Sequence, residues 1–312
     1  MIRVVEPGPL TTVQDLGRRG YLRYGIPESG PIDRAAFVLA NRLVGNPDAA
    51  AGLECTLAGP RLEILAPGAL AATGAEMPLS VNDRPAPRWR TVAVRAGDFV
   101  SLGLARRGIR GYLAFAGGLD LPLVLGSRAT YLRGQLGGYN GRALRRGDAV
   151  RLGAGRPSPA RVVHAGSIPR YDGETTVRVV LGPQADRFTP AGIATFLEGA
   201  YEMLPQSDRM GARLLGPRIA HARGHDIVSD GIPLGGVQVV GDGQPIVLLA
   251  DRQSTGGYTK VATVGSFDIG RIGQVKPGQR VRFRAVDVAE AHRLRQQFER
   301  SLAQVAGGGV PT

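Results

Sequence analysis

The sequence is poor in four things, and each scarcity excludes something. It has a single cysteine, Cys55, so an internal disulfide and any multi-thiolate metal site are excluded. Within the apolar segment L-E-C-T-L, Cys55 reads as a core residue rather than a nucleophile. Aromatic residues make up 5% of the chain while glycine numbers 46, a composition that calls for many turns and few helices. No stretch approaches the roughly 18 apolar residues of a membrane span, and the N-terminus Met1-Ile-Arg-Val-Val-Glu-Pro shows no basic-then-apolar signal region. A soluble, cytoplasmic protein with no membrane partner is expected. The fourth scarcity is lysine, present only at positions 260 and 276, although Lys and Arg together number 39.

The formal net charge of +13 invites a nucleic-acid reading. The arginines are scattered rather than clustered, so nucleic acid is not expected as a partner. The four histidines, His164, His221, His225 and His292, show no metal-ligand spacing beyond His221/His225, and no metal site is expected. The apolar fraction of 43% over 312 residues supports about two domains, at roughly one per 150 residues.

The densest reactive stretch is Ala250–Lys260, A-D-R-Q-S-T-G-G-Y-T-K, directly after the apolar strand Pro245–Leu249. It collects an acid, a guanidinium, an amide, hydroxyls, a phenol and one of the two ammonium groups. Gly256-Gly257 is expected to let the backbone approach a ligand, or to take positive φ in a turn whose N–H groups bind an anion; a solvated turn with a Gly-Gly hinge is the plain alternative.

Residues 1–33 are rich in Gly and Pro around Gln14, Asp15, Arg18, Ser29 and Asp33, an ordered polar loop of a kind that serves sites. Asp15 and Arg18 could instead pair on the surface, and Asp33 could cap the helix in which Phe37, Ala40, Leu43 and Val44 fall at helical spacing before Gly45-Asn46-Pro47. Short strands follow, including Arg61–Leu65, Thr91–Arg95 and Gly111–Ala116. Three segments, Gly97–Leu102, Gly147–Leu152 and Gly278–Phe283, repeat one device, a tight turn feeding a strand. The reading is mainly β: a first lobe over 1–153, a linker over 153–175, a second β lobe over 176–290, and a helix and tail over 291–312. In the second lobe Val177–Leu181 reads as a strand, Thr189-Pro190 opens a helix, and Asp287 with Glu290 opens a last helix whose Leu294, Phe298 and Leu302 share a face. The tail after Val305 is expected to be disordered.

Val13–Arg18, Gly25–Asp33, Leu125–Arg128, Gly182-Pro-Gln184, Ser207–Gly211, Ser229–Ile232 and Asp251–Lys260 together resemble the family known as the second allophanate hydrolase subunit, as KipA-like, or as the C subunit of 5-oxoprolinase, over about residues 1–290. The resemblance implies a two-lobed, cyclophilin-like β-barrel architecture. It implies one component of an ATP-dependent 5-oxoprolinase that works with a KipI-like B subunit and an A subunit, activating 5-oxoproline with ATP and magnesium before the ring opens to glutamate. Two alternatives go with it: a biotin-dependent carboxyltransferase acting on urea or a similar amide, and a non-catalytic KipA-like regulatory binder. Each substrate presents an amide-type carbonyl whose oxygen gains charge.

On that implication, Lys260 and Arg252 stabilise charge and Gly256 and Gly257 supply backbone donors. Asp251 or Asp230 holds the amide N–H or acts as base, and Tyr258 orients or relays a proton. Gln253 and Thr255 line the substrate, Asp208-Arg209 either braces the site or joins it, and Asp15, Arg18 and Ser29 border it from the first lobe. The chain has no G-x-x-x-x-G-K-[ST] phosphate loop, so ATP is expected to be bound mainly by or with a partner. It has no Met-Lys-Met biotin-attachment sequence, so biotin would be carried on another polypeptide.

Overall fold

A computed structural model describes residues 1–155 and 159–307. The chain divides into two compact units: Met1–Arg19 with Ser29–Tyr171 and the residues from Ser301 on, and Gly20–Glu28 with Asp172–Arg300.

The first unit is built from two antiparallel sheets. One runs in the order Leu119–Asp120, Ala149–Leu152, Ile2–Glu6, Arg61–Ile64, Phe99–Leu102, Leu79–Val81, Arg84–Ala86; the other runs Leu10–Gln14, Gly52–Thr56, Arg110–Phe115, Gly68–Gly74, Val92–Val94. Alternation puts Leu62, Ile64, Val100 and Leu102 of the first sheet and Val13, Leu53, Leu113 and Phe115 of the second into one buried core. Each such side chain contributes about 1.5–3 kcal/mol by leaving water. Cys55 is buried in this core, and burial pushes its thiol up to about 12, which suits a small apolar residue rather than a nucleophile.

The helix expected after Asp33 spans Arg34–Leu43, with the Asp33 carboxylate accepting from Ala36 N–H at 3.1 Å. The other Asp33 oxygen accepts from Tyr171 Oη at 2.8 Å. Tyr112 Oη accepts from Asp33 N–H at 2.8 Å and donates to buried Glu54 at 2.9 Å. Burial, followed by the Glu54 charge, holds the Tyr112 phenol well above its ordinary value, so it stays a donor.

The three repeated turns share their chemistry. Gly97, Gly147 and Gly278 take φ of +89°, +89° and +86°, and a Cβ at any of them would meet nothing within 4 Å; the left-handed backbone alone requires glycine. The next side chain accepts the N–H three residues before it: Asp98 from Arg95 at 2.7 Å, Asp148 from Arg145 at 2.7 Å, Gln279 from Lys276 at 2.9 Å. The units share this device but not a topology.

The second unit contains a closed barrel of seven strands in the order Thr175–Leu181, Lys260–Val264, Gly236–Val239, Pro245–Leu248, Gly211–Leu215, Tyr201–Met203, Arg280–Ala285, closed by parallel pairing of the last with the first. The helix Pro190–Glu198, capped by Thr189 at 2.9 Å, brings Phe196 into a stack with Phe283 at 4.4 Å between centroids. A separate two-stranded ribbon pairs Asp226–Gly231 with Thr255–Tyr258. The last helix runs from Val288 to Gly307, opened by Glu290 N–H donating to Asp287 at 2.7 Å. It is the last helix expected from Asp287 through Leu302, and it continues to Gly307, past Val305 where the tail is expected to begin; residues 308–312, on which the rest of that tail falls, lie outside the described residues. No described helix is long and apolar enough to cross a membrane.

Candidate functional site

The stretch Ala250–Lys260 does not fold as one loop. A turn ends near Arg252, Thr255–Tyr258 forms the ribbon strand, and Lys260 opens a barrel strand. Gly256 and Gly257 are extended within the ribbon and take no positive φ, so both the Gly-Gly hinge and the anion-binding turn are corrected. Successive N–H groups of a strand point to opposite sides and cannot converge on one anion. Gly256 is closely packed: a Cβ there would lie 2.7 Å from Ile232 Cδ1 and 2.8 Å from Gln238 Nε2, so those two side-chain ends would have to move.

Lys260 is fully buried. Its Nζ forms an ion pair with Asp230 Oδ2 at 3.4 Å and makes no well-aligned hydrogen bond among the described residues. Gln184 ties the two residues together, its Oε1 accepting Lys260 N–H at 3.1 Å and its Nε2 donating to Asp230 Oδ2 at 3.2 Å. Asp230 is half exposed, and its Oδ1 accepts Gly231 N–H at 2.6 Å. That backbone donor, then the Lys260 charge, holds the Asp230 carboxyl below the ordinary carboxylate value.

Across the sheet Lys260 faces Gln238, where a bulge shifts the register. Gln238 is 2% exposed, and its Nε2 also lacks a hydrogen-bond partner. Arg252, 3% exposed, donates through Nε to Ile232 O at 3.0 Å and sets Nη2 3.8 Å from Glu28, leaving Nη1 without a partner. Burial pulls this guanidinium below its ordinary value, and Glu28 partly restores it.

Asp251 forms a closed pair. Arg209 holds it through Nε at 2.9 Å and Nη2 at 3.1 Å, with both side chains 5% exposed. The brace in this region is thus Arg209–Asp251, whereas the expected Asp208-Arg209 pair is replaced by an Asp208 that accepts the N–H groups of Met210 and Gly211 at 2.7 and 3.1 Å. Tyr258 is 41% exposed and lies against the His225 ring at 6.0 Å; Gln253 and Thr255 are exposed. Among the described residues no group of three or more His, Cys, Asp or Glu gathers as a metal site.

Asp15, Arg18 and Ser29 belong to the first unit. Asp15 accepts from Ser127 Oγ at 2.6 Å, Arg128 N–H at 2.5 Å and Gly17 N–H at 2.9 Å. Arg18 donates to Ala129 O. Both are buried, so the alternative of a surface pair is corrected. Ser29, at φ +56°, buries an Oγ without a partner, and Gly30 N–H donates to Gln14 at 3.1 Å.

A model of the family described as the carboxyltransferase domain, subdomain A and B, matches residues 24–285. The chain belongs to this family. It is 35% identical to the C subunit of 5-oxoprolinase from Escherichia coli over 98% of each chain. It is also 35% identical to urea amidolyase of Lachancea kluyveri over 99% of this chain, but spans only 18% of that protein. The crystal structure of Kluyveromyces lactis urea carboxylase superposes with a TM-score of 0.93 at 32% identity, covering 97% of this chain and 29% of that one. The mainly β, barrel-containing architecture expected of the chain is thus the carboxyltransferase-domain fold.

Within this carboxyltransferase-family chain, the buried nitrogens Lys260 Nζ, Gln238 Nε2 and Arg252 Nη1 have no hydrogen-bond partner among the described residues. Sequence reasoning singled out Lys260 and Arg252 but assigned no role to Gln238, Gln184 or Glu28. Gln238 did carry a signal, as an amide inside the apolar run Val237-Gln-Val-Val240.

Proposed function

We propose that this chain is the C subunit of an ATP-dependent 5-oxoprolinase, working with a KipI-like B subunit and an A subunit to open 5-oxoproline to L-glutamate. The observation that carries this reading is the 35% identity with the C subunit of E. coli 5-oxoprolinase, sustained over 98% of both chains. In the reaction the lactam oxygen attacks the γ-phosphorus of ATP and ADP leaves. Water then adds to the activated carbon and the ring nitrogen departs as the amine, which opens the ring. A second water releases phosphate from the resulting acyl phosphate. ATP and its magnesium are held mainly by or with a partner, since this chain offers no phosphate loop and its described residues gather no acidic cluster.

Lys260 and Arg252 stabilise negative charge as the lactam is activated. Asp230, half exposed and held ionised, orients the lactam N–H or accepts its proton. Asp251 is assigned a bracing role through Arg209, because its oxygens are already engaged. Tyr258, on the exposed ribbon, orients the substrate or relays a proton.

A second reading, a biotin-dependent carboxyltransferase acting on urea, is favoured by the TM-score of 0.93 with urea carboxylase. Glutamate release from 5-oxoproline and ATP, measured with this chain and its candidate A and B partners and with each omitted in turn, decides between them. Activity that requires this chain supports the first reading. Soluble, assembled partners that release no glutamate but carboxylate urea with biotin supplied on another polypeptide would establish the second.

A further inference from the structure

Gln184 grips one residue of the barrel twice. Its backbone N–H donates to Lys260 O at 3.1 Å, and its side-chain Oε1 accepts Lys260 N–H at 3.1 Å. The second bond decides which way round the amide sits, because only its oxygen end can accept an N–H. The nitrogen end is thereby turned to Asp230, and Nε2 donates to Oδ2 at 3.2 Å. Asp230 itself stands on the two-stranded ribbon, where the register shifts between Asp226 and Asp230, and its side chain is 52% exposed. Packing holds such a side chain weakly, so its polar contacts set its rotamer.

Counting acceptor positions shows what those contacts leave open. An ionised carboxylate has about four, two on each oxygen. Oδ2 faces two donors, Lys260 Nζ at 3.4 Å and Gln184 Nε2 at 3.2 Å, whereas Oδ1 takes one, Gly231 N–H at 2.6 Å. The position left over is on Oδ1. Lys260 is the charged group set against this carboxylate, and its neighbour across the ribbon, Gly256, brings no side chain.

We propose that Gln184 is a positioning residue for the reaction: it turns Asp230 so that Oδ2 is engaged by the barrel and Oδ1 meets the ring N–H of the lactam. The proposal deepens the 5-oxoprolinase reading and rests on it for the substrate, while the hold of Gln184 on Asp230 does not depend on it. Gln184 acts through Asp230 alone. Without its donor the carboxylate is free to turn, and a misplacement of about 1 Å costs up to about 10²-fold in rate.

Gln184→Glu tests this with little change of shape. One carboxylate oxygen still accepts Lys260 N–H, and the donor is exchanged for a negative oxygen facing Asp230. A like charge there raises the Asp230 pKa, which a merely structural role for Gln184 would not do. Carbon-13 NMR of the full chain, with the Asp230 carboxyl assigned by its loss in Asp230→Asn, reads that pKa. Glutamate release by the enzyme assembled with its A and B partners gives kcat, KM and their pH profiles. Asp230 works ionised, so activity is lost as pH falls through its pKa, and a raised pKa moves the acidic limb to higher pH. The expected result is that upward move, matching the NMR, with kcat on the plateau reduced at least about tenfold and by more than KM rises. Circular dichroism melting checks that the variant folds. Gln184→Met, which removes the donor without adding charge, stands in if it does not, and moves pKa and limb in the same direction by less. An unmoved Asp230 pKa in a folded variant, or a raised pKa with the acidic limb in place, overturns the proposal. If the pKa rises but soluble, assembled wild-type enzyme releases no glutamate from 5-oxoproline, the hold of Gln184 on Asp230 stands and the 5-oxoprolinase reading fails.

Discussion

Lys260→Met separates function from stability. Lys260 is fully buried with an ammonium that has no hydrogen-bond partner, so the native fold carries a desolvation cost at this position. Met matches the length of the side chain and removes that cost; replacing a whole buried ion pair by apolar residues is often neutral or stabilising by about 1–4 kcal/mol, whereas removing one partner is costly only where the charge left behind stays buried. Asp230, the other member of the pair, is 52% exposed, so it rehydrates with little penalty. A gain of about 1 kcal/mol raises the melting temperature by roughly 4 °C for a body of this size.

Activity moves the opposite way. Removing one charge-stabilising donor at a developing oxyanion costs about 10²–10³ in kcat, or about 2.7–4 kcal/mol of transition-state stabilisation. Melting by calorimetry and glutamate release by the assembled enzyme give the two readouts. The expected signature is an unchanged or higher melting temperature with activity reduced at least about 100-fold. A variant that melts several degrees lower, or one that retains activity within about threefold, refutes the assignment of Lys260 to the chemistry.

Breaking the buried Arg209–Asp251 pair by Arg209→Ala should cost about 3–5 kcal/mol in urea denaturation, because it strands a carboxylate that is 5% exposed; a loss under about 1 kcal/mol would show that the pair does not brace the barrel. The Asp230 carboxyl is depressed first by Gly231 N–H and then by Lys260, so its contribution to stability is complete above about pH 4, the ordinary carboxylate value, and is lost as pH falls through its lower folded value. Carbon-13 NMR of the Asp230 carboxyl should show the pKa rising in Lys260→Met, and an unmoved pKa would contradict the pairing. Ala at Gly97, Gly147 or Gly278 should cost a similar 1–2 kcal/mol, roughly, at each, since φ is positive at all three and nothing crowds the new methyl. A widely different cost at one of them would show that the three turns are not one device.

What was legible in the sequence was mostly local. Asp33 as a helix cap, Thr189-Pro190 as a helix start and the strand after Gly243 each depend on chemistry within a few residues, and the structure forms all three. The three Gly-based turns were legible for the same reason. The site was only partly legible because its partners meet through topology. Asp251 is neutralised by a residue 42 positions away, and Lys260 is tied to Asp230 by a glutamine 76 positions from it. Gly256-Gly257 was misread because glycine usually signals a turn, whereas here both glycines lie in a ribbon strand, with the ends of Ile232 and Gln238 packed beside Gly256. Gln238 escaped attention because its place opposite Lys260 depends on the register across a bulge, which no spacing in its own strand reveals.

The central claim is that the buried ammonium of Lys260 meets the substrate, and the scarcity of lysine makes it directly observable. A chain labelled with carbon-13 and nitrogen-15 at lysine gives signals from Lys260 and Lys276 alone. On titrating 5-oxoproline into the labelled chain, assembled with its partners, the Lys260 side-chain signals should shift and saturate while those of Lys276 stay in place. Saturable binding of 5-oxoproline with the Lys260 signals unmoved would contradict the account.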